Sequence, residues 1–238
     1  MFRNWRRKNS QIILFSIIIG IVLNNQLIIS NSDDEIPITS NEDFFTVAVD
    51  FFDINLETYR LVIGGEVYNP LNLSLDEIKT NFTVTSEIVR LTCIAYKFGE
   101  TSTTGVANWT GVKLSEILDW AQINLDTAYD VVFHTPDLSS GGYSTSLTLD
   151  EAYWDDVILA YEMNGEPLPL LHGFPLRLVC PRFYGYKWIK WIASIDVITE
   201  DYLGYWESGG FYEDSPYVDE SLQIYYPHTA RINSNRSV

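Results

Sequence analysis

The chain has 238 residues, of which 32 are acidic and 15 are basic, so its formal net charge is −17. Such a charge repels nucleic-acid phosphates and anionic lipid headgroups, which excludes nucleic acid as a partner. The length suits one large domain with a buried core, and two cysteines are too few for a disulfide framework.

The chain begins with the pattern of an export signal. Four basic residues within the first eight precede a twelve-residue apolar run, Ile12–Leu23. That run is shorter than the roughly 20 residues that span a bilayer as a helix, but no clear cleavage site follows it. We therefore expect residues 1–30 to be a signal peptide, or a signal anchor that contacts the membrane if it is not cleaved. The rest of the chain, with 11 basic and 32 acidic residues and hence a charge of −21, would lie outside the cytoplasm as a periplasmic or cell-surface protein.

The remaining chain divides by composition into three parts. Residues 31–43 are polar and read as a linker, 44–215 form the expected domain, and 216–238 form a C-terminal tail. The first part of the domain contains a β-rich run that ends in a glycine turn, followed by a second short strand. Ser74 and Glu77 then have the spacing of a capping box, which predicts the start of a helix. The β-branched segment FTVTSEIVRLTCIA predicts a strand that ends near Cys93.

The second part of the domain mixes strands with short helices. Thr148 and Glu151 form a second capping box, and Asn164-Gly165 predicts a hairpin turn after the strand in DVILAYEM. The segments YDVVFHT, FPLRLVCP and WIKWIASIDVIT predict further strands. In TGVKLSEILDWAQI, the apolar residues have helical spacing: Val112, Leu114, Ile117, Leu118 and Ala121. Short strands outnumber helices, so we expect an α+β fold rather than a wound parallel sheet.

The chemistry of the chain depends on the role of Cys93, in the stretch LTCIAYKFG. From its residue type alone it could be a packing residue, half of a disulfide with Cys180, a nucleophile or a metal ligand. The histidines His134, His172 and His228 are scattered, and neither HExxH nor CxxC is present, so a conventional zinc site is not expected. The absence of a Walker loop, a GxGxxG and a GxSxG argues against nucleotide binding and against an α/β-hydrolase.

Two long stretches of the sequence resemble a known family. ILAYEMNGEPLPLLHGFPLRLVCPRFYGYKWIKWIASIDV, Ile158–Val197, and VANWTGVKLSEIL, Val106–Leu118, are similar to the molybdopterin-binding domain of the sulfite oxidase family. The resemblance extends from about Phe44 to Tyr212. It implies the mixed-sheet α+β fold of that family, a molybdopterin cofactor carrying molybdenum, and a two-electron transfer of an oxygen atom.

The resemblance assigns a role to several residues of this chain. Cys93 matches the ligand to molybdenum, and a thiolate is a soft donor suited to such a metal. Cys180, in the apolar run LRLVC, is then expected to be a core residue. The residues that match cofactor contacts of the family are His172 and Arg177 for the pterin and its phosphate, Lys187 for the phosphate or pterin edge, Gly185 for close backbone approach, and Asp137 for the pterin amino groups.

The sequence departs from the family at two places. Val47, Ala48 and Val49 occupy the positions of an Arg-Asn-His set whose arginine holds sulfite, so the substrate-binding arginine is missing. The family tyrosine near the metal falls at Phe211, and Tyr212, one residue later, is the candidate catalytic tyrosine.

These departures shape the functional prediction. The chain resembles short, single-domain bacterial members of the family, of which the catalytic subunit of the periplasmic methionine-sulfoxide reductase is one. We therefore expect a small oxo-substrate such as a sulfoxide, and a separate electron-transfer protein, either a membrane haem protein or a soluble cytochrome. The alternatives are a sulfite dehydrogenase that uses other basic residues, such as Arg182 or Lys190, and a degenerate molybdopterin-binding module without catalysis.

Overall fold

The computed structural model describes residues 37–47, 52, 54–136, 142–210 and 217–218. The predicted signal segment lies outside these ranges, as do Ala48, Val49, Asp137, Phe211 and Tyr212. Within the described ranges, no helix has both the length and the apolar character needed to cross a membrane.

The described residues form ten strands, four α-helices and two short 3-10 helices. The strands are β1 (Leu61–Gly65), β2 (Leu71–Leu73), β3 (Val84–Thr92), β4 (Thr104–Lys113), β5 (Asp130–His134), β6 (Ser144–Thr148), β7 (Ile158–Met163), β8 (Glu166–Pro167), β9 (Arg177–Val179) and β10 (Ser194–Ile198). The α-helices are α1 (Leu75–Asn81), α2 (Leu114–Ala121), α3 (Leu149–Ala152) and α4 (Tyr205–Ser208), and the 3-10 helices are Ile94–Phe98 and Leu170–His172.

The strands form two five-stranded sheets. The first has the order β2-β1-β10-β5-β6, with β1 and β10 parallel and the other neighbours antiparallel. The second has the order β3-β4-β7-β8, with β9 beside β7, and all its pairs are antiparallel. Mostly antiparallel sheets with a few short helices confirm the predicted α+β fold.

Both predicted capping boxes are present. Ser74 Oγ accepts a hydrogen bond from the Glu77 backbone at 3.2 Å, and the Glu77 carboxylate accepts from the Ser74 backbone at 2.8 Å. Thr148 and Glu151 make the same reciprocal pair at 3.4 and 2.9 Å. These bonds join residues three apart, so the local sequence is enough to place the starts of α1 and α3.

Three elements differ from the sequence-based expectation. The predicted helical position of Val112 is wrong, because β4 pairs with β3 from Thr104 to Val112 and α2 begins only at Leu114. No pattern predicted β6, whose sequence STSLT is mostly polar although its pairing with β5 buries it. The predicted strand WIKWIASIDVIT is shorter than expected, because Trp191 has φ 55° and the ladder with β5 starts at Ser194.

One hydrophobic core draws on both sheets. Leu61 and Ile63 of the first sheet and Trp109 and Leu159 of the second are fully buried members of the same cluster. Cys180 also belongs to this cluster and has no exposed surface, as expected for a packing residue. The ends of β3, β5 and β9 that carry the candidate site are therefore supported by a continuous packed interior.

Candidate functional site

A cavity of about 490 Å³ lies where several strand ends and loops meet. It is lined by the segment after β3, by Thr135 after β5, by Arg177 at the start of β9, by residues 185, 186 and 188–191, and by Trp206 of α4. Four of the residues that the sequence analysis assigned to the site line this cavity: Cys93, His172, Arg177 and Gly185. Residues separated by more than 90 positions in the chain are thus brought to one place.

Cys93 lies on the wall of the cavity, directly after β3. It is half-buried, it caps the 3-10 helix Ile94–Phe98 without a side-chain hydrogen bond, and neither cysteine of the chain is in a disulfide. Gly185 lies against the same strand end, since its backbone N–H donates to Thr92 O at 2.8 Å. A Cβ at Gly185 would approach Leu91 Cδ2 to 3.0 Å, so glycine keeps this wall open beside the free thiol.

Arg177 is a buried cation whose charge the described residues do not balance. It is 3% exposed, and its guanidinium lies 4.6 Å from the Trp109 ring. Nη1 donates to His172 O at 2.9 Å and Nη2 to Trp188 O at 3.3 Å, and within the described ranges no carboxylate forms an ion pair with it. Burial lowers the pKa of Arg177 to about 9. A desolvated guanidinium without a counter-ion favours an anionic ligand such as a phosphate.

Lys190 is a second cation in the cavity wall, and the sequence analysis did not assign it to the cofactor. Its Nζ donates to Leu171 O at 2.9 Å and lies 4.2 Å from the Trp191 ring. Burial is the main cause that lowers the pKa of Lys190 from 10.5 to about 7, and the charge of Arg177 is the second. Two neighbouring cations that disfavour each other's charge are both stabilised by a shared anion.

The predicted contact Lys187 has other partners in the structure. It is 2% exposed and does not line the cavity; its Nζ lies 2.7 Å from Glu207 Oε1 and 3.1 Å from Ser146 O. Arg182, the other cation considered for substrate binding, lies 2.8 Å from Asp156 and also outside the cavity lining. The lysine that lines the cavity is therefore Lys190, three residues after the Lys187 that the sequence analysis assigned to the cofactor. The difference arises because the loop after Gly185 is irregular rather than a strand.

His172 closes its 3-10 helix with a buried imidazole. Its Nε2 lies 3.0 Å from Asn41 O, and a carbonyl can only accept, so we assign the proton to Nε2. Burial lowers the pKa of His172, which keeps the ring neutral at pH 7. The remaining ring nitrogen, Nδ1, is then an acceptor that suits an N–H of a pterin.

The leading segment, which we define as Pro37–Val47, supplies the apolar side of the cavity. Phe44 stacks on Phe45 and meets the His172 ring edge-on, with centroids 5.6 Å apart in each case. Val47, 69% exposed, and Phe52 continue this lining. Thr46 is the polar exception among the leading-segment residues on the lining, and Val47, the described position of the three that match the family's Arg-Asn-His set, is apolar.

Asn164 holds the leading segment in place. Its Nδ2 donates to Thr39 O at 3.0 Å and to Asn41 Oδ1 at 2.8 Å, and its Oδ1 accepts from the Asn108 backbone at 2.9 Å. Its φ of 55° is the left-handed conformation that the sequence indicated by an Asn-Gly turn. The sequence analysis gave this residue only a turn role, whereas the structure shows that it also supports Asn41 and, through it, His172.

The residues present fit a phosphate-bearing pterin and a thiolate-bound metal. Arg177 and Lys190 provide cationic charge, His172 provides an acceptor, and Cys93 provides a free thiol on the same cavity. Thr135 Oγ1, also on the lining, is buried without a hydrogen-bond partner in the described structure, so a ligand can satisfy it. The predicted contacts Asp137 and Tyr212 lie outside the described residues.

Comparisons with known proteins match this chain to one family. Residues 47–206 match the family model described as the oxidoreductase molybdopterin binding domain. The chain is 34% identical over 201 residues to mitochondrial sulfite oxidase of Rattus norvegicus, covering 76% of this chain and 37% of that protein. It is 32% identical over 158 residues to the uncharacterized oxidoreductase YuiH of Bacillus subtilis (strain 168), covering 66% of this chain and 74% of that protein.

A solved structure shows the same fold. The sulfane dehydrogenase SoxCD from Paracoccus pantotrophus matches with a TM-score of 0.62 and 26% identity, over 74% of this chain and 46% of that one. The chain spans little more than a third of the length of the mammalian sulfite oxidase that it matches. On the family model, the sequence identities and the shared fold, the chain belongs to the oxidoreductase molybdopterin-binding domain family, the family of the sulfite oxidases.

Proposed function

We propose that this chain is a molybdenum oxidoreductase that transfers an oxygen atom to or from a small neutral oxo-compound of the sulfoxide class, outside the cytoplasm. Molybdopterin, when bound, supplies a molybdenum centre that exchanges two electrons and one oxygen atom with the substrate. The family supports the cofactor and the reaction class, the export-signal pattern supports the location, and the cavity wall supports the substrate class.

Each lining residue has a distinct task in this proposal. Cys93 ligates the metal with its thiolate. Arg177 and Lys190 bind the cofactor phosphate, and the planar guanidinium allows two parallel hydrogen bonds to it. His172 accepts a hydrogen bond from the pterin, and the Gly185 backbone permits its close approach. Asp137 as a further pterin contact and Tyr212 as a hydroxyl donor near the metal come from the resemblance alone.

The observation that carries the substrate class is the apolar leading segment. Phe44, Phe45 and Val47 line the cavity, and Val47 is one of the three positions that match the Arg-Asn-His set of sulfite-oxidising members. An anion at this wall would lose water without gaining a charged partner, whereas a neutral sulfoxide loses less solvation and packs its carbon groups against the rings. The net charge of −17 further opposes the collection of an anionic substrate.

The test is to produce the chain with a supply of molybdenum cofactor and to measure bound metal, oxidised-pterin fluorescence and turnover. Methyl phenyl sulfoxide with reduced benzyl viologen and sulfite with ferricyanide serve as the paired assays. We expect one molybdenum per chain and preference for the sulfoxide. Molybdenum-free protein would refute the cofactor assignment, and preference for sulfite would refute the substrate class.

Sulfite oxidation is the second candidate, favoured by one observation. Lys190 puts a cation on the cavity lining that could hold an anionic substrate if the cofactor phosphate occupies Arg177 alone. A loaded protein that turns over neither substrate would instead indicate a molybdopterin-binding module without catalysis. The paired assays separate these outcomes from one another.

A further inference from the structure

An aromatic contact leads from the cavity to the protein surface at α4. Trp206 lines the cavity, and its ring meets that of Tyr205 edge-on with centroids 5.3 Å apart. Tyr205 is 53% exposed, and it also lies 5.9 Å from Tyr143, a second residue of the cavity lining. One exposed ring therefore touches two rings that face the candidate site.

The stretch that leads to this ring in the sequence has an exposed apolar residue near it and two exposed acidic residues before that. Leu203 is 48% exposed, and Glu200 and Asp201 of the same stretch are exposed as well. We call Glu200, Asp201, Leu203 and Tyr205 the Tyr205 surface. A small apolar centre with a charged rim is the composition of transient protein interfaces, in which charge guides the encounter and the apolar contact is brief.

The helix α4, which begins with Tyr205, is firmly attached to the first sheet. Glu207, two residues after Tyr205, pairs with Lys187 in an ion pair whose side chains are at most 3% exposed. Gly204 is packed so closely that a Cβ there would lie 2.8 Å from Ser144 O. The rings of Tyr205 and Trp206 are thus held in a defined position relative to the cavity. Rapid electron transfer from ring to ring requires such a fixed geometry.

We propose that the Tyr205 surface is the docking site of a cationic one-electron carrier, a c-type cytochrome, and that electrons pass between the cavity and the carrier by way of Trp206 and Tyr205. The charge of −17 on the chain favours a cationic carrier over an acidic one. The inference rests on the proposed function, because it needs a redox centre in the cavity. Each sulfoxide molecule reduced would take two electrons, one from each of two ferrous haems in turn, and two protons, and would release one water.

The test uses the molybdenum-loaded protein, reduced with dithionite and freed of excess reductant, so that no substrate is needed. It is mixed with mitochondrial-type ferricytochrome c, a cationic haem protein, or with ferricyanide, and the oxidation is followed by stopped flow. Tyr205→Ser and the double change Glu200→Gln with Asp201→Asn are compared with Tyr68→Ser, which alters an exposed tyrosine beside Gln122 at the far edge of the first sheet. Binding of the same cytochrome is measured separately by surface plasmon resonance across a salt series.

We expect Tyr205→Ser to slow transfer to cytochrome c by roughly tenfold and to leave the ferricyanide rate unchanged. The double charge change should lower the cytochrome association rate and flatten its salt dependence, and Tyr68→Ser should behave as wild type. Equal cytochrome rates and affinities in Tyr205→Ser and wild type would overturn the docking site. Protein that neither holds molybdenum nor reduces ferricyanide would instead refute the proposed function itself.

Discussion

At the scale of single residues, the cavity wall contains charged and hydrogen-bonding side chains that the described part of the protein does not pair. Among the residues that the structure describes, Arg177 is buried without a carboxylate partner, Lys190 is partly desolvated, and the Thr135 hydroxyl has no hydrogen-bond partner. Such groups destabilise a folded chain unless a ligand completes them. They are the physical basis for expecting a bound anion with hydrogen-bonding edges.

The first prediction concerns Cys93. Cys93→Ser should fold normally, because the side chain is half-buried and makes no cap hydrogen bond, yet bound molybdenum should fall to background. Cys180→Ala is the matched control; it should retain molybdenum and lose about 1 kcal/mol of stability from the buried cavity it creates. Elemental analysis and urea unfolding measure the two effects. Full molybdenum content in Cys93→Ser would exclude the thiolate as the protein ligand.

The second prediction concerns pH and Lys190. The lysine pKa falls from 10.5 in an unfolded chain to about 7 in the folded cofactor-free protein. Charging Lys190 therefore costs folding free energy that is absent above about pH 10.5, grows as the pH falls, and is complete below about pH 7. Lys190→Met should remove this cost, so the cofactor-free variant should gain stability over wild type as the pH is lowered through this window.

The same change should weaken anion binding. Cofactor-free wild type should bind pyrophosphate more tightly as the pH falls through about 7, and Lys190→Met should lose that pH dependence. Lys113→Met, at an exposed ion pair with Asp155, is the control and should leave the binding profile unchanged. Urea unfolding and isothermal titration calorimetry give the two measurements. Identical pH profiles for wild type and Lys190→Met would contradict the assignment.

At the scale of elements, the leading segment determines what the cavity accepts. Asn164 bonds it to the β7–β8 turn, Phe44 covers His172, and a Cβ at Gly105 would come within 2.5 Å of the Phe44 ring. These contacts fix an apolar wall next to a cationic one. The segment that the sequence analysis had joined to a linker, 37–43, carries the Asn41 carbonyl that orients His172.

The third prediction restores a positive charge to this segment. Val47→Arg puts a guanidinium at the exposed rim of the cavity and should improve kcat/KM for sulfite by about tenfold relative to the sulfoxide. Val84→Arg, at an exposed valine of β3 outside the cavity lining, controls for net charge. The measurement is the ratio of kcat/KM for the two substrates in each variant. An unchanged ratio in Val47→Arg would show that the apolar wall does not select the substrate.

At the scale of the whole molecule, the packed core and a buried ion pair join the C-terminal part of the described chain to the first sheet. Lys187 and Glu207 lie 2.7 Å apart with almost no solvent exposure, and Lys187 also bonds to Ser146 O of β6. The pair therefore connects the loop before β10, the edge strand and α4. Its loss should affect the whole fold rather than one cavity wall.

The fourth prediction tests this pair. Lys187→Met leaves Glu207 buried and unpaired and should cost roughly 3–5 kcal/mol of unfolding free energy. Adding Glu207→Leu should recover much of that loss, because no isolated charge stays behind. Asp155→Asn, which breaks the exposed pair with Lys113, should change little. Urea unfolding of wild type, Lys187→Met, Glu207→Leu and the double variant gives the coupling energy, with Asp155→Asn as the control. A double variant as unstable as Lys187→Met would contradict the argument.

The sequence by itself determined the local and the familial features of this protein. Capping boxes at Ser74 and Thr148 and the Asn164-Gly165 turn are visible because their hydrogen bonds join near neighbours. The α+β class, the family and the position of Cys93 at a strand end follow from contiguous motifs.

Only the tertiary structure decided what depends on remote pairing. Val112 belongs to a strand because β3 lies beside it, and STSLT becomes a strand because β5 does. Lys190 rather than Lys187 lines the cavity because an irregular loop, which no periodicity describes, turns one lysine to the cavity and the other to Glu207. The surroundings of a charged side chain depend on contacts between segments that are distant in the sequence. Local sequence patterns do not specify those contacts.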